Sequence, residues 1–229
     1  MTGCALLVDA DDTLWENNIY FERAFDDFAA FLDHSTLAPA QVREVLNEIE
    51  SANARVHGYG ARNFGRNLQQ AYHRLAEREI REDDLRRVMS LAERILEQPL
   101  ELLEGVEETL AYLAARHELT LFTKGHLEEQ RMKVDRSGLA RYFVHTAIVK
   151  EKDTHAYRRL VEERGLRPQE TWMIGNSERS DINPALEAGL KAVLIPHPRT
   201  WVLERAEVRD GADGRLIQVE RFSDLRRHF

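Results

Sequence analysis

Short apolar runs alternate with helical stretches through most of this chain. Residues 5–9, 119–123, 143–149, 171–175 and 191–195 each read as a short strand buried on both faces. Residues 107–116 form a helical pattern ahead of the second strand. Residues 127–137, 153–164 and 183–188 do the same between the later strands, each followed by a glycine stop: Gly138, Gly165 and Gly189. This alternation predicts an α/β fold: a Rossmann-like parallel sheet of about five strands, with right-handed crossovers and helices on both faces.

The stretch between the first two strands is too long for one crossover. It carries apolar stripes at helical spacing: Phe21, Phe25, Phe28 and Leu32; Val42, Val45, Leu46 and Ile49; Leu68, Tyr72 and Leu75; Leu85, Val88, Met89, Ala92, Ile95 and Leu96. These predict an inserted all-α bundle of about four helices, residues 17–97, within a core made of residues 1–16 and 98–229. Pro99 and Gly105 mark the return to the core. After Pro196 the pattern weakens. Residues 210–214 read as a turn joining short strands 207–209 and 216–219, and residues 222–228 as a terminal helix.

Composition narrows the function classes. The chain has 229 residues, 43% hydrophobic and 31% charged, with a net charge of −8, so its overall field does not favour nucleic acid. A single cysteine, Cys4, excludes an intrachain disulfide and reads as a small buried hydrophobe. No apolar run approaches a membrane span and no secretion signal is visible, so a cytoplasmic protein without membrane partners is expected. The nine histidines show no metal-ligand spacing.

The chemistry concentrates where the apolar runs end. The first strand stops in three carboxylates, Asp9, Asp11 and Asp12, followed by Thr13. Like charges this close repel, and a solvated turn or a divalent cation would relieve them. Mg2+ is a hard ion that takes such oxygens, at the strand end where open α/β sheets hold ligands. The second strand ends in Thr123-Lys124-Gly125. Lys152 lies five residues before Tyr157, and the strand 171–175 runs into Gly175-Asn176-Ser177, with Asp181 beyond.

These four segments, in this order, resemble the four signatures of the haloacid dehalogenase superfamily, and the insert matches the position of its helical cap. The resemblance implies a phosphatase that hydrolyses a small phosphorylated metabolite through an aspartyl-phosphate, with Mg2+ as cofactor. Asp9 is then the nucleophile and Asp11 the general acid and base. Superfamily dehalogenases lack an acid at the position of Asp11. Thr123, Lys124, Gly125 and Lys152 are candidates for the phosphoryl group, with Lys150 the alternative to Lys152. Asp9, Asp11 through its carbonyl, and Asp181 would hold the metal, with Asn176 standing where many members have aspartate. Asp12 and Thr13 read as turn residues. Lys124 has a second reading, a solvent-facing loop lysine. Residues 57–64 interrupt the insert with glycines and offer Tyr59 and Arg62 to a substrate, with a plain inter-helix loop as the competing reading. A phosphomutase with the same phosphoenzyme, or a non-catalytic binding protein on the same fold, are the alternatives.

Overall fold

The computed structural model describes residues 3–209 and 214–229. The turn expected at residues 210–214 therefore lies almost wholly outside the described residues. The chain divides into two compact units, Met1–Glu16 with Leu100–Phe229, and Asn17–Pro99.

The first unit is a six-stranded parallel sheet in the order β3-β2-β1-β4-β5-β6. The strands are β1 (Ala5–Val8), β2 (Glu118–Lys124), β3 (His145–Val149), β4 (Thr171–Gly175), β5 (Lys191–Leu194) and β6 (Leu216–Gln218). β1 is central, and alternate residues serve opposite faces. Leu6 and Val8 pack with Val106, Leu110 and Leu113, while Leu7 packs with Tyr157, Leu160 and Met173. Helices α5 (Val106–Ala114) and α6 (Leu127–Ser137) thus supply apolar residues to one face, and α7 (Thr154–Arg164) and α8 (Asn183–Glu187) to the other. All of Leu6, Leu7 and Val8 are fully buried, which explains an uninterrupted apolar run ending abruptly in acids.

The strand order reverses at β1. The chain builds outward to β2 and β3, then returns to pair β4 on the opposite side of β1. That switch leaves a crevice at the carboxyl ends of β1 and β4. The backbone N–H of Asp9 donates to the Ile174 carbonyl at 2.9 Å, extending the ladder into the crevice.

The second unit holds α1 (Asn18–Leu32), α2 (Pro39–His57), α3 (Ala61–Leu75) and α4 (Glu82–Glu93). Phe25, Phe28, Leu46, Leu68, Tyr72, Val88 and Ala92 form its apolar centre. The connector between α2 and α3 is only Gly58-Tyr59-Gly60, so Arg62 and Phe64 are helical rather than part of a long loop.

One expectation is corrected. Residues 207–209 are not a strand: Asn183 donates to the Glu207 carbonyl at 2.9 Å and accepts from the Arg209 N–H at 3.1 Å, which fixes the segment by a side chain instead of a ladder. The helix expected at 183–188 is present as α8, and a wide π-helical turn, Glu178–Ile182, precedes it, with Asp181 inside that turn. Among the described residues, no helix is long and apolar enough to cross a membrane.

Candidate active site

Lys152 lies between two buried carboxylates. Its ammonium donates to Asp9 Oδ1 and Asp181 Oδ1, and more weakly to the Phe122 carbonyl at 3.4 Å. Lys152 is 3% exposed, Asp9 6% and Asp181 0%. Burial, then the charge of Asp181, pushes the Asp9 carboxyl up to about 7 against the opposing ammonium. Burial works against the Lys152 ammonium, but Asp181 and Asp9 outweigh it and hold its pKa above the usual lysine range. The alternative, Lys150, stays exposed outside these bonds.

Each oxygen around this ion group is fixed. The Thr13 hydroxyl lies 3.1 Å from both Asp9 Oδ2 and Asn176 Oδ1, and its single proton can serve only one at a time. The Asn176 amide N–H donates to Thr200 Oγ1 at 2.9 Å, which turns its carbonyl oxygen toward Thr13. The Ser177 N–H donates to Asp181 Oδ2 at 2.9 Å. A Cβ on residue 175 would stand 2.2 Å from Asp181 Oδ2, so only glycine lets this carboxylate approach the end of β4. The Tyr157 hydroxyl donates toward the carbonyls of Ser180 (2.9 Å) and Asp181 (3.3 Å), tying α7 to the π-helical turn.

The oxygens of Asp9, Asp181 and Asn176 thus gather about one ammonium and one hydroxyl. They are hard donors, and two buried carboxylates facing a single ammonium leave negative charge uncompensated, so the group fits Mg2+. Another cluster, Asp12, Glu16 and His197, brings one ligand atom from each residue within 4.8 Å of the others. Arg199 lies 3.7 Å from Glu16 there and opposes a cation, so we assign the cluster to ion pairing around the turn in which Asp12 takes a left-handed φ of 58°.

Asp11 points elsewhere. Trp15 Nε1 donates to Oδ1 at 2.8 Å, Gln130 Nε2 to Oδ2 at 3.1 Å, and Lys133 Nζ lies 2.6 and 2.7 Å from the two oxygens. The same Gln130 amide donates to Thr123 Oγ1 at 2.7 Å. Gly125 has φ 143°, and a Cβ there would press on Gln130 Cγ at 3.1 Å.

Lys124 is held inside a polar network rather than facing solvent. Its ammonium donates to Glu204 Oε1 (2.5 Å), Ser180 Oγ (2.8 Å) and Glu151 Oε1 (3.3 Å). Burial opposes ionisation of Glu204, but Lys124 and the two serine hydroxyls prevail and hold its carboxyl below the usual range. Tyr59 is half-buried in the α2–α3 connector and Arg62 is exposed in the first turn of α3. Gln130, Lys133, Thr200 and Glu204 escaped the sequence reading. Only for the first two was a signal present: polar residues three apart on a helix that directly follows Thr123.

A structure from Xanthomonas campestris, a haloacid dehalogenase-like family hydrolase, is 30% identical, with a TM-score of 0.84 over 97% of this chain and 92% of that one. A predicted phosphoglycolate phosphatase from Haemophilus somnus shares the fold at 17% identity and TM-score 0.68, covering 100% of this chain and 98% of that one. L-2-haloacid dehalogenase from Xanthobacter autotrophicus, with chloropropionic acid covalently bound, does so at 16% and 0.64, covering 98% and 97%. No curated protein matches the chain. A family model described as haloacid dehalogenase-like hydrolase matches residues 5–189, the span from β1 through α8 that carries all four strand-end segments, and the chain belongs to that family of hydrolases.

Proposed function

We propose that the protein is a phosphatase that hydrolyses a small phosphomonoester through an aspartyl-phosphate on Asp9, with Mg2+ as its cofactor. The observation that carries this reading is Asp11, an acid two residues from Asp9 whose carboxylate is fixed by Trp15, Gln130 and Lys133. A departing alkoxide needs a proton, whereas a departing halide needs none.

The steps then balance. An Asp9 oxygen attacks phosphorus, the ester P–O bond breaks, and Asp11 protonates the departing oxygen. Asp11 next takes a proton from water as the water oxygen attacks the phosphorus on Asp9. The P–O bond to Asp9 breaks, phosphate leaves, and Asp11 is again an acid. Lys152 neutralises Asp9 and the phosphoryl oxygens, and the Thr123 hydroxyl binds them. Asp9, the Asp11 carbonyl, Asp181 and Asn176 would hold Mg2+. When bound, the ion offsets charge repulsion between nucleophile and phosphoryl group.

The test is phosphate release over a panel of sugar phosphates, nucleotides and phosphorylated acids, with and without Mg2+. Chloride release from chloropropionate in place of phosphate release would sink the reading. Calorimetric Mg2+ titration supplies a readout apart from turnover. Asp181→Ala should bind Mg2+ far more weakly than the parent, and unchanged binding removes Asp181 from the ligand set.

A further inference from the structure

We infer that Gln130 and Lys133, on one face of α6, are the positioning residues that hold Asp11 for the second half of the reaction. The inference rests on the phosphatase reading above for its chemistry, and on geometry for its placement. α6 starts three residues beyond β2, so its first turns stand at the carboxyl end of the sheet, beside the strand-end acids. Residues three apart on a helix share a face. Gln130 is 3% exposed, and the side chains of Lys133 and Asp11 are 16% and 24% exposed.

The chemistry of the Gln130 amide fixes its orientation. An amide oxygen turned to Asp11 would face a carboxylate. With the NH2 group there instead, one N–H goes to Asp11 Oδ2 at 3.1 Å and the other to Thr123 Oγ1 at 2.7 Å. Because Thr123 Oγ1 accepts that bond, its own proton is directed elsewhere, available to a phosphoryl oxygen. One buried amide therefore orients both the phosphoryl-binding hydroxyl and the general base. Lys133 does something narrower. Its ammonium meets both Asp11 oxygens, at 2.6 and 2.7 Å, an arrangement made with the carboxylate. The carboxylate is the form that accepts the proton of the attacking water. Trp15, 1% exposed and packed into the core, supplies the fixed end of the clamp through Nε1.

The two residues should therefore differ in which step they slow. p-Nitrophenyl phosphate separates the steps, because nitrophenolate leaves without a proton. With Lys133→Met, the burst of nitrophenolate should keep the parent rate within about threefold. Steady-state turnover should fall about 10²-fold, the order of loss expected from a misplaced catalytic group, and acid-trapped phosphoenzyme should accumulate. Lys133→Arg should recover most of the turnover. Gln130→Met should slow burst and steady state together, because it also releases Thr123. Equal slowing of both phases by Lys133→Met, or no change in either, overturns the proposal. Crystal structures of the parent and Lys133→Met decide placement without turnover. Asp11 should leave Gln130 in the variant, and an Asp11 still bonded to Gln130 and Trp15 overturns the proposal. If the parent forms no phosphoenzyme, the phosphatase reading fails, and these structures alone decide whether Lys133 places Asp11.

Discussion

Each of the two units buries a carboxylate that its surroundings push up to about 7, and in both cases burial is the main cause. Asp9, in the α/β unit, has a partner on each oxygen: Lys152 on Oδ1 and Thr13 on Oδ2. Glu50, in the helical unit, has Arg43 Nη2 only at 3.9 Å, and its Oε2 has no hydrogen-bond partner among the described residues. Arg43 itself stacks over Phe25 at 4.9 Å, and its Nη1 has no hydrogen-bond partner among the described residues. A perturbed carboxyl therefore does not mark the active site by itself. Convergence is what sets the candidate site apart: Asp9 shares its ammonium with Asp181 and its hydroxyl with Asn176, from a different strand end. Nothing comparable gathers around Glu50 in the described hydrogen bonds.

The comparison breaks first on activity. Asp9→Asn keeps the size of the side chain but removes the proposed nucleophile, and turnover should fall by about 10⁴-fold or more. Glu50→Gln should leave kcat within about threefold of the parent. Steady-state assays on the two variants check this, and an Asp9→Asn enzyme with substantial Mg2+-dependent turnover would falsify the assignment.

The next largest effect is on stability. Lys152→Met leaves Asp9 and Asp181 buried without their shared cation, which should cost about 3–5 kcal/mol. Urea unfolding without metal measures the loss, and millimolar Mg2+ should restore part of it if the ion sits on the same oxygens. A variant as stable as the parent would show that Lys152 compensates neither carboxylate.

How far these features were legible in the sequence follows the same division. Leu6, Leu7 and Val8 announce a central strand because burial on both faces demands an unbroken apolar run. The strand-end acids, Thr123, Lys152 and Asp181 stood out because each closes or follows such a run. β6 was faint because it has only three residues, and residues 207–209 imitated a strand because Val208 is apolar among charges. The signal for Gln130 and Lys133, their spacing on the helix after Thr123, was faint because α6 is polar enough to pass for a solvated helix. Only the fold carries its first turns to Asp11. Lys124 misled for the converse reason: its partner Glu204 lies far along the chain, in a segment with no pattern of its own. Chemistry at strand ends is written locally, while the shell that orients it is assembled by topology.

The smallest expected effect sharpens the comparison most, because it isolates the helical unit. Glu50 is 7% exposed, and burial pushes its carboxyl up to about 7 from the ordinary 4.5. Between these two values the folded state binds more protons than the unfolded state, so stability falls as pH rises through that window. Below about 4.5 both states are protonated and Glu50 contributes no pH dependence. Above about 7 both are ionised and the full penalty remains, at most about 3 kcal/mol by the free-energy equivalent of the shift. Glu50→Gln has no proton to lose. It should equal or exceed the parent in stability at pH 8, with a gain of about 1–3 kcal/mol, and should lie close to the parent at pH 4.5. Urea midpoints of parent and variant across pH 4.5–8 read the difference directly. Because Asp9 is untouched, the pH dependence that survives in Glu50→Gln belongs to the rest of the molecule. If the two proteins lose stability in parallel as pH rises, Arg43 compensates Glu50 after all, and the contrast between the two buried carboxylates disappears.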